Sequence, residues 1–261
     1  MIDFKINGKA VRGDDDETVL SVAKRYGIEI PTFCYHKALE PSGACRLCIV
    51  EVTKEEWEGW KNYVVSCVYP IAKDILVTTH SPEVVEIRRT IVELLLARCP
   101  ESKELRALAS EYGIAGTNFI SSEKPELRDN CILCGLCTRI CQELGFSAIS
   151  VAGRGHSKVV APPLGESPQD CTGCASCARI CPTNNIPFKV DSGKLEIWDR
   201  EFEMIACKTC KRTYISKDFA QALMKKKGVP LEYFNLCDEC RKKKTVSTMY
   251  GLTKWDKGGV K

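Results

Sequence analysis

The chain has 261 residues, 44% of them hydrophobic and 28% charged, with 17 cysteines. That length gives room for two or three small domains and not one large core, and cysteines gathered in C-x2-C units point to metal ligation in a reducing compartment, not to a disulfide framework. The formal charge of +4 counts every thiol as neutral; sixteen ligating thiolates set against four metal centres bring the loaded protein to about -4, so the formal value misleads.

The start, Met1-Ile-Asp-Phe-Lys, has neither the apolar stretch nor the small-residue cleavage site of a signal peptide, and the longest apolar run, from Ile91 to Ala97, is broken by Glu93. A cytoplasmic protein with no membrane span is therefore expected. Residues 1–80 open with Phe4 to Val11, whose alternation turns at Asn7-Gly8, a two-residue hairpin signal. Thr18 then precedes Val19, Leu20, Val22 and Ala23, a short amphipathic helix that stops at Gly27 before an extended Ile28 to Pro31. Hairpin, helix and cysteine loop together predict a ubiquitin-like β-grasp. Its cysteines run Cys34-x10-Cys45-x2-Cys48-x18-Cys67, within reach of a 2Fe-2S cluster. That spacing differs from the plant ferredoxin pattern.

Residues 81–125 read as a helical connector. Ser81-Pro82-Glu83 combines an N-cap, a proline at the first helical position and an acid in the first turn. Val84, Val85, Ile87, Ile91, Leu94 and Leu95 recur at helical spacing to Arg98, and a second helix is expected from about Glu101 to Tyr112, ending at Gly113. The stripe reads as core packing that fixes a distance between centres.

Residues 126–200 carry Cys131-x2-Cys134-x2-Cys137-x3-Cys141 and Cys171-x2-Cys174-x2-Cys177-x3-Cys181-Pro182. This is the bacterial dicluster ferredoxin pattern, in which the fourth cysteine of each run reaches the other cluster. One 4Fe-4S cluster is expected on Cys131, Cys134, Cys137 and Cys181, and the other on Cys171, Cys174, Cys177 and Cys141. Zinc ribbons use C-x2-C arms in fours and have no role for the other thiols. Gln142 stands where the second run has Pro182, a departure in the first match. Two short strands are expected over Phe146 to Val151 and Val159 to Ala161, within an enlarged spacer between the runs. Gly153-Arg-Gly155 is not a dinucleotide fingerprint, because Lys158 replaces the third glycine. Arg154 and His156 read as a surface loop, with tuning of a cluster as the sharper alternative.

Residues 201–245 hold Cys207-x2-Cys210 and Cys237-x2-Cys240 around a short helix containing Phe219, Leu223 and Met224. Two such arms bring four thiolates to one tetrahedral point, a zinc-ribbon-like arrangement. Structural zinc is favoured over a fourth iron-sulfur cluster, although spacing alone does not decide. Thioredoxin-like chemistry is not expected, because neither pair reads as a helix start after a strand. A nickel site is rejected because Arg241-Lys-Lys-Lys, not a histidine, follows the second pair. That basic run reads as a solvated face. The tail, residues 246–261 with Met249, Tyr250 and Trp255, is too short for a core and is expected to clasp a partner subunit. The fold class is thus α+β: a β-grasp 2Fe-2S domain, a helical connector, a 2x4Fe-4S ferredoxin domain and a zinc-ribbon-like segment.

Pro31-Thr-Phe-Cys34-Tyr-His36 and Gly43-Ala-Cys45-Arg46-Leu-Cys48-Ile-Val-Glu51-Val resemble the opening domain of the large iron-sulfur subunit of respiratory NADH dehydrogenase. The same module opens the small diaphorase subunits of NAD-linked hydrogenases and the iron-sulfur subunits of electron-bifurcating hydrogenases, and the likeness covers residues 1 to about 200. It implies that Cys34, Cys45, Cys48 and Cys67 hold a 2Fe-2S cluster; because four cysteines fill that site, His36 reads as a hydrogen-bonded, partly buried residue, with tuning or ligation of the cluster as the sharper alternative. Relatives often carry a further 4Fe-4S cluster on one histidine and three cysteines. Here Cys99 stands without neighbouring cysteines and His80 lies nineteen positions upstream, so that cluster is not expected and Cys99 reads as a packed thiol.

No flavin or nicotinamide fold, activated nucleophile or open metal site is legible. The expected cofactors are one 2Fe-2S cluster, two 4Fe-4S clusters and one zinc, and the expected role is a non-catalytic electron relay. The resemblance implies a hetero-oligomer with a flavoprotein NAD(P)H-oxidising subunit and a hydrogenase or formate dehydrogenase module, with soluble ferredoxin as a further exchange partner and no nucleic acid or membrane. A metal-stabilised nucleic-acid-binding regulator is the rival from another class.

Overall fold

The computed structural model describes residues 1–119 and 130–253, with side chains described for all of these except 156 and 249–253. They fold as two compact units, Met1–Gly165 with Ser176–Ile186, and Glu166–Ala175 with Pro187–Lys261.

In the first unit, β1 (Ile2–Ile6) and β2 (Lys9–Gly13) form the expected hairpin. Asn7 (φ 50°) and Gly8 (φ 78°) supply the left-handed pair that a type I′ turn requires. Thr18 caps α1 (Val19–Arg25) in a reciprocal arrangement with Ser21. Three strands follow: β3 (Ile49–Thr53), β4 (Asn62–Val65) and β5 (Leu76–Thr78). The sheet order is β2-β1-β5-β3-β4, with β1 parallel to β5 and the other pairs antiparallel. This is the β-grasp arrangement, and Ile6, Leu20, Val50, Val52 and Ile75 are sealed between sheet and helix. Each such aliphatic contributes about 1.5–3 kcal/mol by leaving water.

The connector helices form close to where the sequence puts them. Ser81 accepts from Val84 N–H and α2 runs Pro82–Arg98. Its inward face is Val84, Arg88, Val92 and Leu96, spaced by four, a column that α-helical periodicity places on one side. The second helix, α3, runs Lys103–Glu111; it starts after Glu101 because the Ser102 side chain caps it by accepting from Leu105 N–H. A second core joins Val92, Leu96, Cys99, Leu105 and Ala109 to Cys34, Cys45, Leu47, Cys134 and Leu136. This unit also contains α4 (Leu136–Glu143), the hairpin of β6 (Ser150–Ala152) and β7 (Val159–Ala161), and α5 (Ser176–Ile180).

The second unit contains an antiparallel sheet for which the sequence reading gave no elements. It comprises β8 (Phe188–Asp191), β9 (Lys194–Ile197), β10 (Arg200–Ala206) and β11 (Thr213–Ser216), in the order β11-β10-β9-β8. Two left-handed pairs, Ser192-Gly193 and Trp198-Asp199, make its tight turns. Ser216 caps α6 (Lys217–Lys227), which ends at left-handed Gly228, and α7 spans Asp238–Thr253. Leu195, Ile197, Phe202, Ala220 and Phe234 are buried. Among the described residues no helix is long and apolar enough to cross a membrane. Of the tail, α7 accounts for residues 246–253; the side chains of Met249 and Tyr250, and all of Trp255, lie outside what is described.

Candidate iron-sulfur and metal centres

Cys34 and Cys45 lie on the loop between α1 and β3, Cys48 immediately precedes β3, and Cys67 follows β4. Pairing of β3 with β4 sets Ile49 opposite Val65, which draws Cys48 and Cys67 together. Ser66 fastens the pair by donating its N–H and hydroxyl to the Cys48 carbonyl at 3.1 and 2.7 Å. All four thiols are buried; Cys34 is in hydrogen-bonding reach of Cys45 and Cys67, and Cys67 of Cys48. Donation from Cys45, then from Cys67, holds the Cys34 thiol down at about 2 and pushes Cys45 up. Cys67 is pushed up by the proton it shares, first with Cys34 and then with Cys48, while Cys48 is lowered to about 7, chiefly by Cys67. The backbone contributes too: Phe33 N–H donates to Cys45 Sγ at 3.5 Å and Cys45 N–H to Cys34 Sγ at 3.4 Å. Four convergent thiols in a dry pocket, with amides aimed at sulfur, fit a 2Fe-2S cluster and the extra charge of its reduced state. His36 is exposed, not partly buried, and its Nδ1 accepts from Ala38 N–H at 3.2 Å.

Cys131 and Cys134 lie on the loop leading into α4, Cys137 lies in its first turn, and Cys181 follows α5. Burial, first of all, pushes Cys134 up to about 11, and the charges of Cys181, Cys131 and Cys34 act in the same direction. Cys137 rises to about 12 for the same first reason, with Cys134, Cys131, Cys177 and Cys181 adding to it. Cys181 therefore sits within electrostatic reach of the first run, 44 positions beyond Cys137. Amides again point at sulfur: Leu133 N–H to Cys131 at 3.4 Å, Ala148 N–H to Cys141 at 3.3 Å and Asn185 N–H to Cys181 at 3.4 Å. Thiols that burial keeps neutral are suited to a cationic iron core, whose charge replaces their protons.

The two cysteine runs repeat one backbone device. Leu133 (φ 54°) and Gly135 (φ 72°) are left-handed in the first, Gly173 (φ 65°) and Ala175 (φ 54°) in the second, so glycine and non-glycine exchange places. Cys171 and Cys174 fold with the second unit, Cys141 and Cys177 with the first.

In the second unit the sulfurs of Cys207, Cys210, Cys237 and Cys240 all lie within 4.8 Å of one another, with Cys210 and Cys237 at 3.8 Å. Cys207 and Cys210 form a knuckle between β10 and β11, turned by left-handed Lys211. Cys237 and Cys240 open α7; the pair is thus at a helix start, but a 3-10 turn over Leu231–Asn235 precedes it and not a strand. The N–H groups of Cys210 and Cys237 lower Cys207 to about 6, that of Cys240 lowers Cys237, and Cys240 is pushed up to about 12, first by Cys237. A tetrahedron with Zn–S bonds of about 2.3 Å has edges of about 3.8 Å, so the spacing fits one metal ion, whereas a four-iron cubane holds its thiolates farther apart.

Sequence reasoning missed the arginines around these loops. Arg98 Nε donates to the Cys131 carbonyl at 2.7 Å, Arg139 Nη2 to Cys34 at 3.1 Å and Arg200 Nη1 to Cys171 at 2.8 Å. The motifs carry no signal for them, since each donor lies far in sequence from at least one carbonyl it holds. Arg154 is exposed, as a surface loop predicts, and the side chain of His156 lies outside what is described. Cys99 is fully buried at the C-terminal end of α2, in the same core as Cys34, Cys45 and Cys134.

Residues 1–82 match the 2Fe-2S iron-sulfur cluster binding domain and residues 127–188 the 4Fe-4S dicluster domain. The chain is 33% identical over 211 residues to the NADP-reducing hydrogenase subunit HndD of Solidesulfovibrio fructosivorans, covering 70% of this chain and 35% of that protein. It is thus an iron-sulfur protein with a 2Fe-2S domain and a 4Fe-4S dicluster domain, similar to subunits of NAD(P)-linked hydrogenases and NADH-quinone oxidoreductases. A subunit of the NADH-quinone oxidoreductase of Rhizobium meliloti (strain 1021) is 29% identical over 236 residues, with 80% of this chain and 27% of the relative covered. The NADPH-Fe(3+) oxidoreductase subunit alpha of Geobacter sulfurreducens is 32% identical over 213 residues, with 72% and 24% covered. The chain thus spans about a third or less of the length of these curated relatives. A chain of a crystal structure of NAD+-reducing [NiFe]-hydrogenase in the H2-reduced state aligns with TM-score 0.58 and 28% identity, over 70% of this chain and 86% of that one.

Proposed function

We propose that the chain is a cytoplasmic relay that passes single electrons through one 2Fe-2S and two 4Fe-4S centres, between a flavoprotein that oxidises NAD(P)H and a hydrogenase module or ferredoxin. Cys34, Cys45, Cys48 and Cys67 hold the 2Fe-2S cluster. Cys131, Cys134, Cys137 and Cys181 hold one 4Fe-4S cluster, and Cys171, Cys174, Cys177 and Cys141 the other. The observation that carries the reading is the shared core: Cys34 and Cys45 pack in one buried cluster of side chains with Cys134, which favours neighbouring centres with protein and not water between them.

Such clusters are one-electron carriers tuned by hydrogen bonds, burial and nearby charge. Hydride chemistry moves electrons in pairs, so a flavin in a partner subunit must divide them. This chain's own part is to bind, space and dry the centres. Cys207, Cys210, Cys237 and Cys240 hold one structural zinc that ties β10, β11 and α7 together; the 3.8 Å sulfur separation supports a single ion over a fourth cluster. Anaerobic affinity purification tests the relay. The expected result is co-purification with a flavoprotein whose NAD(P)H reduces this chain's clusters. Turnover of NAD(P)H or hydrogen by the chain alone would contradict it.

A further inference from the structure

Each of the three cysteine loops is gripped at its first cysteine by an arginine, Arg139 at Cys34, Arg98 at Cys131 and Arg200 at Cys171. Two of these clamps hold one cysteine loop each. Arg139 is different. It stands on α4, just after Cys137, and its Nε donates to the carbonyl of Gly135, between Cys134 and Cys137, at 3.3 Å. The same guanidinium sends Nη2 to the Cys34 carbonyl at 3.1 Å and Nη1 to the Glu40 carbonyl. One planar, permanently charged group thereby spans two cysteine loops whose residues are about a hundred positions apart. The geometry uses the rigid fork that arginine has and lysine lacks: three carbonyls in two loops, one donor nitrogen for each. Cys34, Cys45, Leu47, Cys134 and Leu136 pack together in the adjoining core.

We propose that Arg139 is the positioning residue that couples the 2Fe-2S centre to the 4Fe-4S centre of the first cysteine run, by fixing their separation and closing a hydrogen-bonded path between their loops. The path runs from the Cys34 carbonyl through Nη2, Cζ and Nε to the carbonyl of Gly135, the neighbour of Cys134. This deepens the relay reading and rests on it. In the step concerned, one electron leaves one reduced centre and enters the other, oxidised one; no bond forms or breaks, and the guanidinium keeps its proton throughout. Its positive charge is shared by both loops and so favours the reduced form of either centre. The fork is what lysine cannot reproduce.

The test uses the full chain, purified without air, as wild type, Arg139→Lys and Arg139→Gln, with Arg12→Lys as a control in the exposed pair with Asp3. Iron and sulfide are assayed first. Electron paramagnetic resonance of the dithionite-reduced protein then reads the magnetic interaction between the two centres, and flash photoreduction reads how fast an electron equilibrates between them. In both Arg139 variants the interaction is expected to weaken or vanish and equilibration to slow, while each centre keeps its own signal. Arg12→Lys is expected to match wild type.

Unchanged interaction and equilibration in variants that keep their clusters would overturn the assignment, even if their thermal stability fell. Should Arg139→Gln lose iron, Arg139→Lys decides alone; loss of the clusters from both would also overturn it, making Arg139 a residue of folding only. A wild type showing neither centre's signal would sink the relay reading instead.

Discussion

Gly173 and Gly135 occupy exchanged places in the two cysteine runs, and replacing each by alanine separates two costs. Both are left-handed, at φ 65° and 72°, where a side chain costs about 1–2 kcal/mol. Leu133 and Ala175 already accept φ 54° in the same loops, so the twist alone is tolerable. Space is the difference. A Cβ on Gly135 meets nothing closer than 3.8 Å, whereas one on Gly173 falls 2.4 Å from Cγ and 2.6 Å from Cδ2 of Phe202. Phe202 is buried, its ring lies 4.9 Å from the Arg200 guanidinium, and Arg200 in turn holds the carbonyls of Pro168, Gln169 and Cys171. The ring cannot yield without loosening that grip, and overpacking of this kind costs about 1–3 kcal/mol more. Gly173→Ala should therefore cost about 2–5 kcal/mol and Gly135→Ala about 1–2 kcal/mol. Thermal unfolding followed by far-ultraviolet circular dichroism, with iron content in parallel, reads the contrast; about 1 kcal/mol corresponds to about 4–8 °C in the smaller second unit, which holds Gly173, and to about 2–4 °C in the larger first unit, which holds Gly135. Gly173→Ala combined with Phe202→Leu should recover part of the loss through coupling of about 0.5–3 kcal/mol. Equal losses in the two single variants, or strict additivity in the double one, would refute the reasoning.

Cys181→Ser should abolish the 4Fe-4S signal assigned to Cys131, Cys134 and Cys137, although it lies 44 positions beyond Cys137; loss confined to the other 4Fe-4S centre, read by electron paramagnetic resonance, would refute crossed ligation. Because a metal must displace protons from four thiols, zinc should be retained at neutral pH and leave as pH falls, with loss of the second unit's folded signal; metal analysis after dialysis across pH checks this. Glu51 is buried with Oε1 paired to Lys61 at 3.1 Å and Oε2 without a partner. Lys61→Ala, which strands that carboxylate, should lower the midpoint of chemical denaturation, and Glu51→Gln should be milder.

Local chemistry was what the sequence made legible. The Asn7-Gly8 turn, the Thr18 cap and the Ser81-Pro82 start depend on neighbours in the chain, and each forms where its residues stand. The cysteine runs were readable for the same reason, since three ligands of a cluster fit on one short loop. The second unit's sheet was overlooked although its signals were present: Lys194-Leu-Glu-Ile197 alternates, Leu195 and Ile197 are buried, and Ser192-Gly193 makes the turn. The adjacent cysteine pairs drew the reading toward metal alone. The arginine clamps were not legible at all. Arg98 and the Cys131 carbonyl are 33 positions apart, Arg200 and Cys171 are 29 apart, and Arg139 and Cys34 are 105 apart, and no spacing rule joins a side chain to a distant carbonyl. The cap at Ser102 shortened the second connector helix because the side chain, not helical periodicity, selects its first residue.

The central claim is that this chain carries electrons one at a time on inorganic centres that its own cysteines hold. A stepwise reductive titration of the anaerobically purified protein, with iron, sulfide and zinc determined on the same sample, tests it most directly. The account predicts about ten irons, about ten sulfides and about one zinc per chain, and about three one-electron steps with the signals of one 2Fe-2S and two 4Fe-4S centres. A colourless protein that takes up no electrons, or one that binds zinc alone, would contradict it.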